Sequence, residues 1–267
     1  MPTDSNLPIG VFDSGLGGLT VLRHLSKRFA NEDFIYLGDT ARIPYGSKSP
    51  RTIQKYLAQN LAFFTRMPVK AVVVACNSAS TQVSLVNSTV PIYDVITPGA
   101  LRASITSKNS RIGVVATRAT VMSECYPKEI HKLKPGVQVF QQACPLLVPL
   151  VEEGWDDDPI TNLIVYRYVS PLLTANIDTL ILGCTHYPIL KNTFAKVLGA
   201  RVQTVDSAES IGDLIERDFQ LHKLPVKEAG TGGTIRLFAT DISDTFETLA
   251  RRILGPATIV QLELAEI

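Results

Sequence analysis

Short apolar runs alternate with longer, helix-periodic stretches along this chain. IGVFD (9–13), DFIYLGD (33–39), KAVVVAC (70–76) and IYDVI (92–96) are short and rich in β-branched and aromatic residues, so each predicts a strand. Between them, the stretch 17–29 carries Leu19, Leu22, Leu25 and Phe29 at a 3.6-residue period, and 52–67 reads as a second helix. A third helix is expected over 97–106, because Thr97 followed by Pro98 is a helix-start signature. Buried strands separated by helices predict mainly parallel sheets flanked by helices on both faces, an α/β fold.

The pattern restarts at RIGVVATRAT (111–120). Laying Ile112-Gly113-Val114 on Ile9-Gly10-Val11 sets Ala116 opposite Asp13 and Thr117 opposite Ser14. Each copy then reaches an apolar run that ends in a cysteine followed by hydroxyl-bearing residues. In VVVACNSAS (72–80), Cys76 stands 63 residues beyond Asp13; in LILGCTHYP (180–188), Cys184 stands 68 residues beyond Ala116. The repeated order and spacing predict two pseudo-symmetric α/β lobes. The expected boundaries are 1–98 plus 209–267 for the first lobe and 99–208 for the second, with a helix at 240–255 returning to pack on the first. Open α/β sheets bind ligands at the C-terminal ends of their strands, so the site is expected in the cleft between the lobes.

Composition narrows the chemistry. Of 267 residues, 45% are hydrophobic and 19% charged, and the formal net charge is +1, so nothing broad favours nucleic acid or an anionic membrane. No apolar run approaches the roughly 20 residues of a bilayer span. The segment 1–12 lacks a basic region followed by an apolar one, so a cytoplasmic location is expected. The four cysteines form no C-x-x-C pair and are expected as free thiols, Cys125 and Cys144 as small buried hydrophobes. No ligand cluster accompanies Cys184 and His186, so no metal is expected. The glycine run DSGLGG (13–18) would need another glycine at position 20 to read as a dinucleotide loop, and Thr20 stands there.

Cys76 and Cys184 each follow a buried strand and precede a helix start. Asn77 or Ser78 is the expected cap of the first helix, and Thr185 of the second, whose early turn holds Pro188. A helix N-terminus favours thiolate, so both thiols are expected below the ordinary value of about 8.5. Two nearby thiols do not both ionise cheaply; one becomes thiolate and the other stays thiol, as a coupled pair. An exchangeable base and acid suit proton removal from one face of a carbon and delivery to the other, as in a two-base racemase or epimerase.

Five motifs then carry a resemblance. FDSGLGG (12–18), GDTARIPYG (38–46), ACNSAS (75–80), PLVEEG (149–154) and GCTHYP (183–188), in that order, resemble the glutamate racemases of the aspartate/glutamate racemase superfamily. The match runs from about residue 9 to about 212. It implies interconversion of L- and D-glutamate without a cofactor, supplying D-glutamate for bacterial peptidoglycan. Cys76 resembles the base that acts on D-glutamate and Cys184 the base that acts on L-glutamate. Asp13 and His186 resemble groups that assist the thiols, and Glu152 another acidic position of the site. With the two thiols, Asp13 and His186, the substrate-binding set is Ser14, Pro44, Tyr45, Gly46, Asn77, Ser78, Thr117, Thr120 and Thr185. Ser78 stands where threonine is common, and keeps the hydroxyl. The set has no arginine clamp; hydroxyls and backbone N–H groups suffice for carboxylates. A homodimer is the expected assembly. Aspartate racemisation is the alternative reaction, decided by pocket depth. A non-enzymatic two-lobed protein that binds an acidic ligand is the alternative class, though it leaves the paired thiols unexplained.

Overall fold

The computed structural model describes residues 4–228, 230, 232–255 and 261–267. Residues 1–3, 229, 231 and 256–260, which fall within the spans expected for the first lobe, lie outside it. The predicted strands form at β1 (Ile9–Asp13), β2 (Phe34–Gly38), β3 (Ala71–Val74) and β4 (Ile92–Asp94). The second series is β5 (Arg111–Ala116), β6 (Gln138–Ala143), β7 (Thr179–Gly183) and β8 (Gln203–Asp206), followed by β9 (Ile235–Ala239) and β10 (Gln261–Leu264). They make two sheets, ordered β10-β9-β2-β1-β3-β4 and β6-β5-β7-β8, with every pairing parallel.

The internal likeness read from the sequence has a topological counterpart. β1 lies between β2 and β3, and β5 lies between β6 and β7. Asp13 and Ala116 therefore end equivalent central strands, and Cys76 and Cys184 follow equivalent neighbours. Every residue of β1, β2, β3 and β7 is buried, which is why these runs are apolar throughout rather than alternating.

Helices cover both faces of each sheet. Leu19–Arg28, Ser207–Gln220 and Asp244–Leu254 bury Leu22, Ile211 and Phe246 against Val11 and Tyr36 of the first sheet. Pro50–Arg66 packs Leu57 and Phe64 on its other face, and starts where Ser49 Oγ accepts the Thr52 N–H at 3.3 Å. On the second sheet, Ile96–Thr106 and Cys125–Leu133 cover one face, and Pro159–Thr174 with Lys191–Leu198 the other. Ile96–Thr106 begins one residue before the expected start. Its cap position is Val95, and the Asp94 carboxylate just before it accepts the Ile96 and Thr97 N–H groups at 2.8 Å, so Thr97 and Pro98 lie inside the first turn. No described helix is long and apolar enough to cross a membrane.

Candidate active site

The C-terminal ends of β1, β3, β5 and β7 converge on a cavity of about 430 Å³. The first sheet's loops contribute Ser14, Gly15, Ile43, Pro44, Tyr45, Gly46, Ser47, Cys76, Asn77 and Ser78. The second sheet's contribute Thr117, Arg118, Pro145, Val148, Pro149, Glu152, Cys184, Thr185 and His186. Twelve of the residues expected from sequence thus share one wall, and both thiols are among them. Asp13 and Thr120 do not reach the wall. Both are fully buried behind it, Asp13 under Ser14 and Thr120 under Thr117.

Two glycines let the halves meet. A Cβ on Gly17 would collide with Thr185 Oγ1 and His186 Nδ1, so only glycine lets this turn lie against the Cys184 segment. A Cβ on Gly46 would lie 2.7 Å from Thr117 Cβ, across the opening of the cavity. Beside that contact, the Ser78 and Thr117 hydroxyls are hydrogen-bonded at 2.8 Å. Thr20 Oγ1 also donates to Thr185 O at 3.0 Å.

The capping pattern departs from expectation. The helix after Cys76 is the single turn Asn77–Ser80, and its cap is Cys76 itself, whose Sγ accepts the Ala79 N–H at 3.4 Å. Asn77 turns away, donating through Nδ2 to Tyr126 Oη at 2.8 Å and Ser207 Oγ at 3.3 Å. Its Oδ1 is buried with no hydrogen-bond partner. Thr185 caps nothing; its hydroxyl donates to Asp13 Oδ1 at 3.3 Å. The early-turn Pro188 sits in the 3-10 turn Tyr187–Leu190 that leads into Lys191–Leu198.

Electrostatics overturns the expected lowering at Cys76. Burial pushes this thiol up to about 12, and the charge of Asp13 pushes the same way. Hydrogen bonds to Ser14, with Cys76 Sγ 3.4 Å from its Oγ, and to the Ala79 N–H pull back but do not prevail. One helical turn is a weak opponent to complete desolvation of a thiolate. Asp13 is also raised: burial outweighs the pull of His186 and of the Gly15 and Thr185 hydrogen bonds. The surroundings of Cys184 differ. His186 Nδ1 lies 3.9 Å from Cys184 Sγ, and His186 Nε2 lies 3.2 Å from Glu152 Oε1. Burial works against charge on the His186 ring, but bonds to Cys184 and Glu152 outweigh it and hold the imidazole up to about 10.

Tyr45 lines the wall with its ring while its hydroxyl points outward to the buried Asp39, to which it donates. Asp39 also accepts from Arg42, from Asn60 Nδ2 at 3.2 Å and from Thr240 Oγ1 at 3.0 Å. This network fixes the Pro44–Gly46 wall from behind, and raises the Tyr45 phenol by burial and by the Asp39 charge. Sequence reasoning passed over Asp39 although it lies in GDTARIPYG, and passed over Arg118, Pro145, Val148 and Pro149. Arg118 also lines the wall. Cys144 and Cys125 lie off the cavity; burial raises both, Cys125 to about 11. Among the described residues no group of three or more His, Cys, Asp or Glu side chains is placed to hold a metal.

Comparison with known proteins bears on this arrangement. The family model for Asp/Glu/Hydantoin racemase matches residues 9–211. A glutamate racemase of Syntrophus aciditrophicus is 45% identical over 251 residues, covering 93% of each chain. The crystal structure of a glutamate racemase isoform from Bacillus anthracis superposes with a TM-score of 0.93 at 33% identity, covering 99% of each chain. That of a Francisella tularensis glutamate racemase in complex with D-glutamate gives 0.89 at 37% identity, covering 98% of each.

Proposed function

We propose how the reaction runs from the family to which this chain belongs: it is a member of the Asp/Glu/Hydantoin racemase family and, within it, an amino-acid racemase of the glutamate racemase type. Cys184 and Cys76 act as base and acid on opposite faces of the substrate's Cα. In the L-to-D direction the Cys184 thiolate takes the α-proton. The electron pair left on Cα spreads into the adjoining carboxylate, and the Cys76 thiol delivers its proton to the other face. Cys76 ends as thiolate and Cys184 as thiol, which is the state that accepts D-glutamate. The observation that carries this reading is the convergence of two thiols, from equivalent strand ends of the two sheets, on one cavity.

The two directions start from unequal ground. His186 holds its proton between Cys184 and Glu152. Cys76 is buried and kept as a thiol. For the reverse reaction Cys76 must carry the charge against both burial and the neighbouring Asp13 carboxyl. The hydroxyls of Ser14, Ser78 and Thr117 line the cavity as donors for carboxylates, and Asn77 Oδ1, buried and unpartnered, is an acceptor for the ammonium. Apolar Ile43, Pro44, Val148 and Pro149 lower the dielectric around the developing carbanion.

The product supplies bacterial peptidoglycan synthesis with D-glutamate in the cytoplasm, and the protein works as a homodimer, which sedimentation velocity tests. The deciding experiment for the mechanism is deuterium wash-in. Glutamate is incubated with the protein in D₂O while NMR follows the α-proton and circular dichroism follows handedness, with aspartate as a parallel substrate. Exchange with loss of handedness is expected for glutamate. Binding without exchange would leave an acidic-ligand receptor in place of this scheme.

A further inference from the structure

We propose that Arg118 is a specificity-determining residue that selects a dicarboxylic amino acid by its side-chain charge. Arg118 follows Thr117, the cap of the short helix Arg118–Ser123, and stands on the cavity wall beside the contact between Gly46 and Thr117. It is exposed, and its guanidinium forms no hydrogen bond or ion pair with the described residues. The other cationic side chain on the wall, His186, is already matched by Glu152 and Cys184. Arginines elsewhere, such as Arg28, Arg42 and Arg236, are engaged by carboxylates.

An unpaired, solvated arginine on an open surface means little. This one borders a partly apolar cavity, where low-dielectric walls focus its field inward. Glutamate brings two carboxylates and one ammonium. The hydroxyls on the wall are neutral donors that serve a carboxylate and an amide alike, and the charged pair His186–Glu152 is matched within itself. Arg118 is the group that tells glutamate from glutamine, through a charge-assisted hydrogen bond that the amide forms only weakly. It touches the part of the substrate remote from Cα, so it binds ground state and transition state alike. It therefore acts on KM and leaves kcat in place.

This inference rests on the reading of the cavity as a glutamate site, and the test keeps the two apart. Arg118→Gln and Arg118→Lys are compared with the native protein for glutamate turnover, and calorimetry measures glutamate and glutamine binding independently of turnover. For Arg118→Gln, KM and Kd for glutamate rise about 5- to 20-fold at low salt while kcat stays within about twofold. Glutamine binding is unchanged, so discrimination collapses. The lysine variant recovers part of it. Raising ionic strength weakens glutamate binding more in the native protein than in Arg118→Gln, because the exposed charge most open to screening is the one removed. Unchanged discrimination in Arg118→Gln, or a fall in kcat with KM intact, overturns the proposal. If the native protein binds glutamate but does not racemise it, the mechanism fails while the calorimetric comparison still decides the role of Arg118.

Discussion

Replacing Gly17 by alanine adds one methyl group where the two halves of the site touch. The new Cβ would collide with Thr185 Oγ1 and His186 Nδ1 and would lie 2.6 Å from His186 Cε1, whereas an ordinary contact begins at 3.4 Å. Relief requires a displacement of about 1 Å between this turn and the 184–186 segment. Neither side gives way easily, since Thr185 is held by Asp13 and Thr20, and His186 by Glu152. Overpacking of this kind costs about 1–3 kcal/mol. In a chain of this length that corresponds to a fall in melting temperature of roughly 2–10 °C, and the fold survives. Catalysis pays more dearly, because a misplacement of about 1 Å in a catalytic group lowers turnover by about 10²-fold. The displaced group is His186, partner of Cys184, so α-proton removal from L-glutamate slows more than removal from D-glutamate. Initial rates of deuterium incorporation from each enantiomer, beside a thermal melt, measure all three effects. A folded Gly17→Ala protein with native rates from both enantiomers would show that the close approach of the lobes has no part in placing Cys184 and His186.

Three other outcomes are expected. Cys76→Ala and Cys184→Ala each abolish racemisation while leaving the fold intact, since each removes one of the two proton carriers; full racemisation by either variant in the circular dichroism assay rules out the paired scheme. Glu152→Gln changes the dependence of stability on pH. His186 is raised from its ordinary 6.5 to about 10, so its contribution is complete below about 6.5 and is lost as pH rises through about 10. Thermal melts across that window should decline less steeply for Glu152→Gln than for the native protein, and parallel curves would refute the Glu152–His186 coupling. Tyr45→Phe takes one donor from the buried Asp39 and costs about 1–3 kcal/mol in urea unfolding, towards the lower end because Arg42, Asn60 and Thr240 remain. It should also raise KM, as the Pro44–Gly46 wall loosens; an unchanged urea midpoint would mean that the network carries no stability.

Legibility from sequence followed burial. The strands β1, β2, β3 and β7 are buried on both faces, and their uninterrupted apolar runs are visible without a structure. β6 went unread because it is an edge strand, QVFQQA, whose side chains are mostly half-exposed, so its glutamines hide the pattern. β9 and β10 went unread for a related reason. They extend the first sheet at its far edge, where Arg236 and Glu263 pair with each other and break the apolar run. Of the span 240–255 expected as a helix, Asp244–Leu254 forms one, readable because Phe246, Leu249, Ala250 and Ile253 keep a helical period against the sheet.

The candidate site divides along similar lines. Residues at strand ends, such as Asp13, Cys76 and Cys184, follow from the location of the strands, since a parallel sheet delivers its C-terminal ends to one edge. Other residues give no such signal: Arg118 and Pro145 also follow strand ends, of β5 and β6, but carry no motif of their own, and Asp39 acts on the wall through Tyr45. The protonation balance was hidden for a deeper reason. Strand-to-helix spacing gives the same surroundings to both thiols, and so predicts equal lowering. The difference between them is set by which groups each lobe places beside its own thiol. Cys76 faces burial and the carboxyl of Asp13, while Cys184 faces an imidazole that Glu152 keeps protonated. A duplicated fold brings two like sulfurs to one cavity and surrounds them with unlike neighbours, a difference that strand spacing alone does not carry.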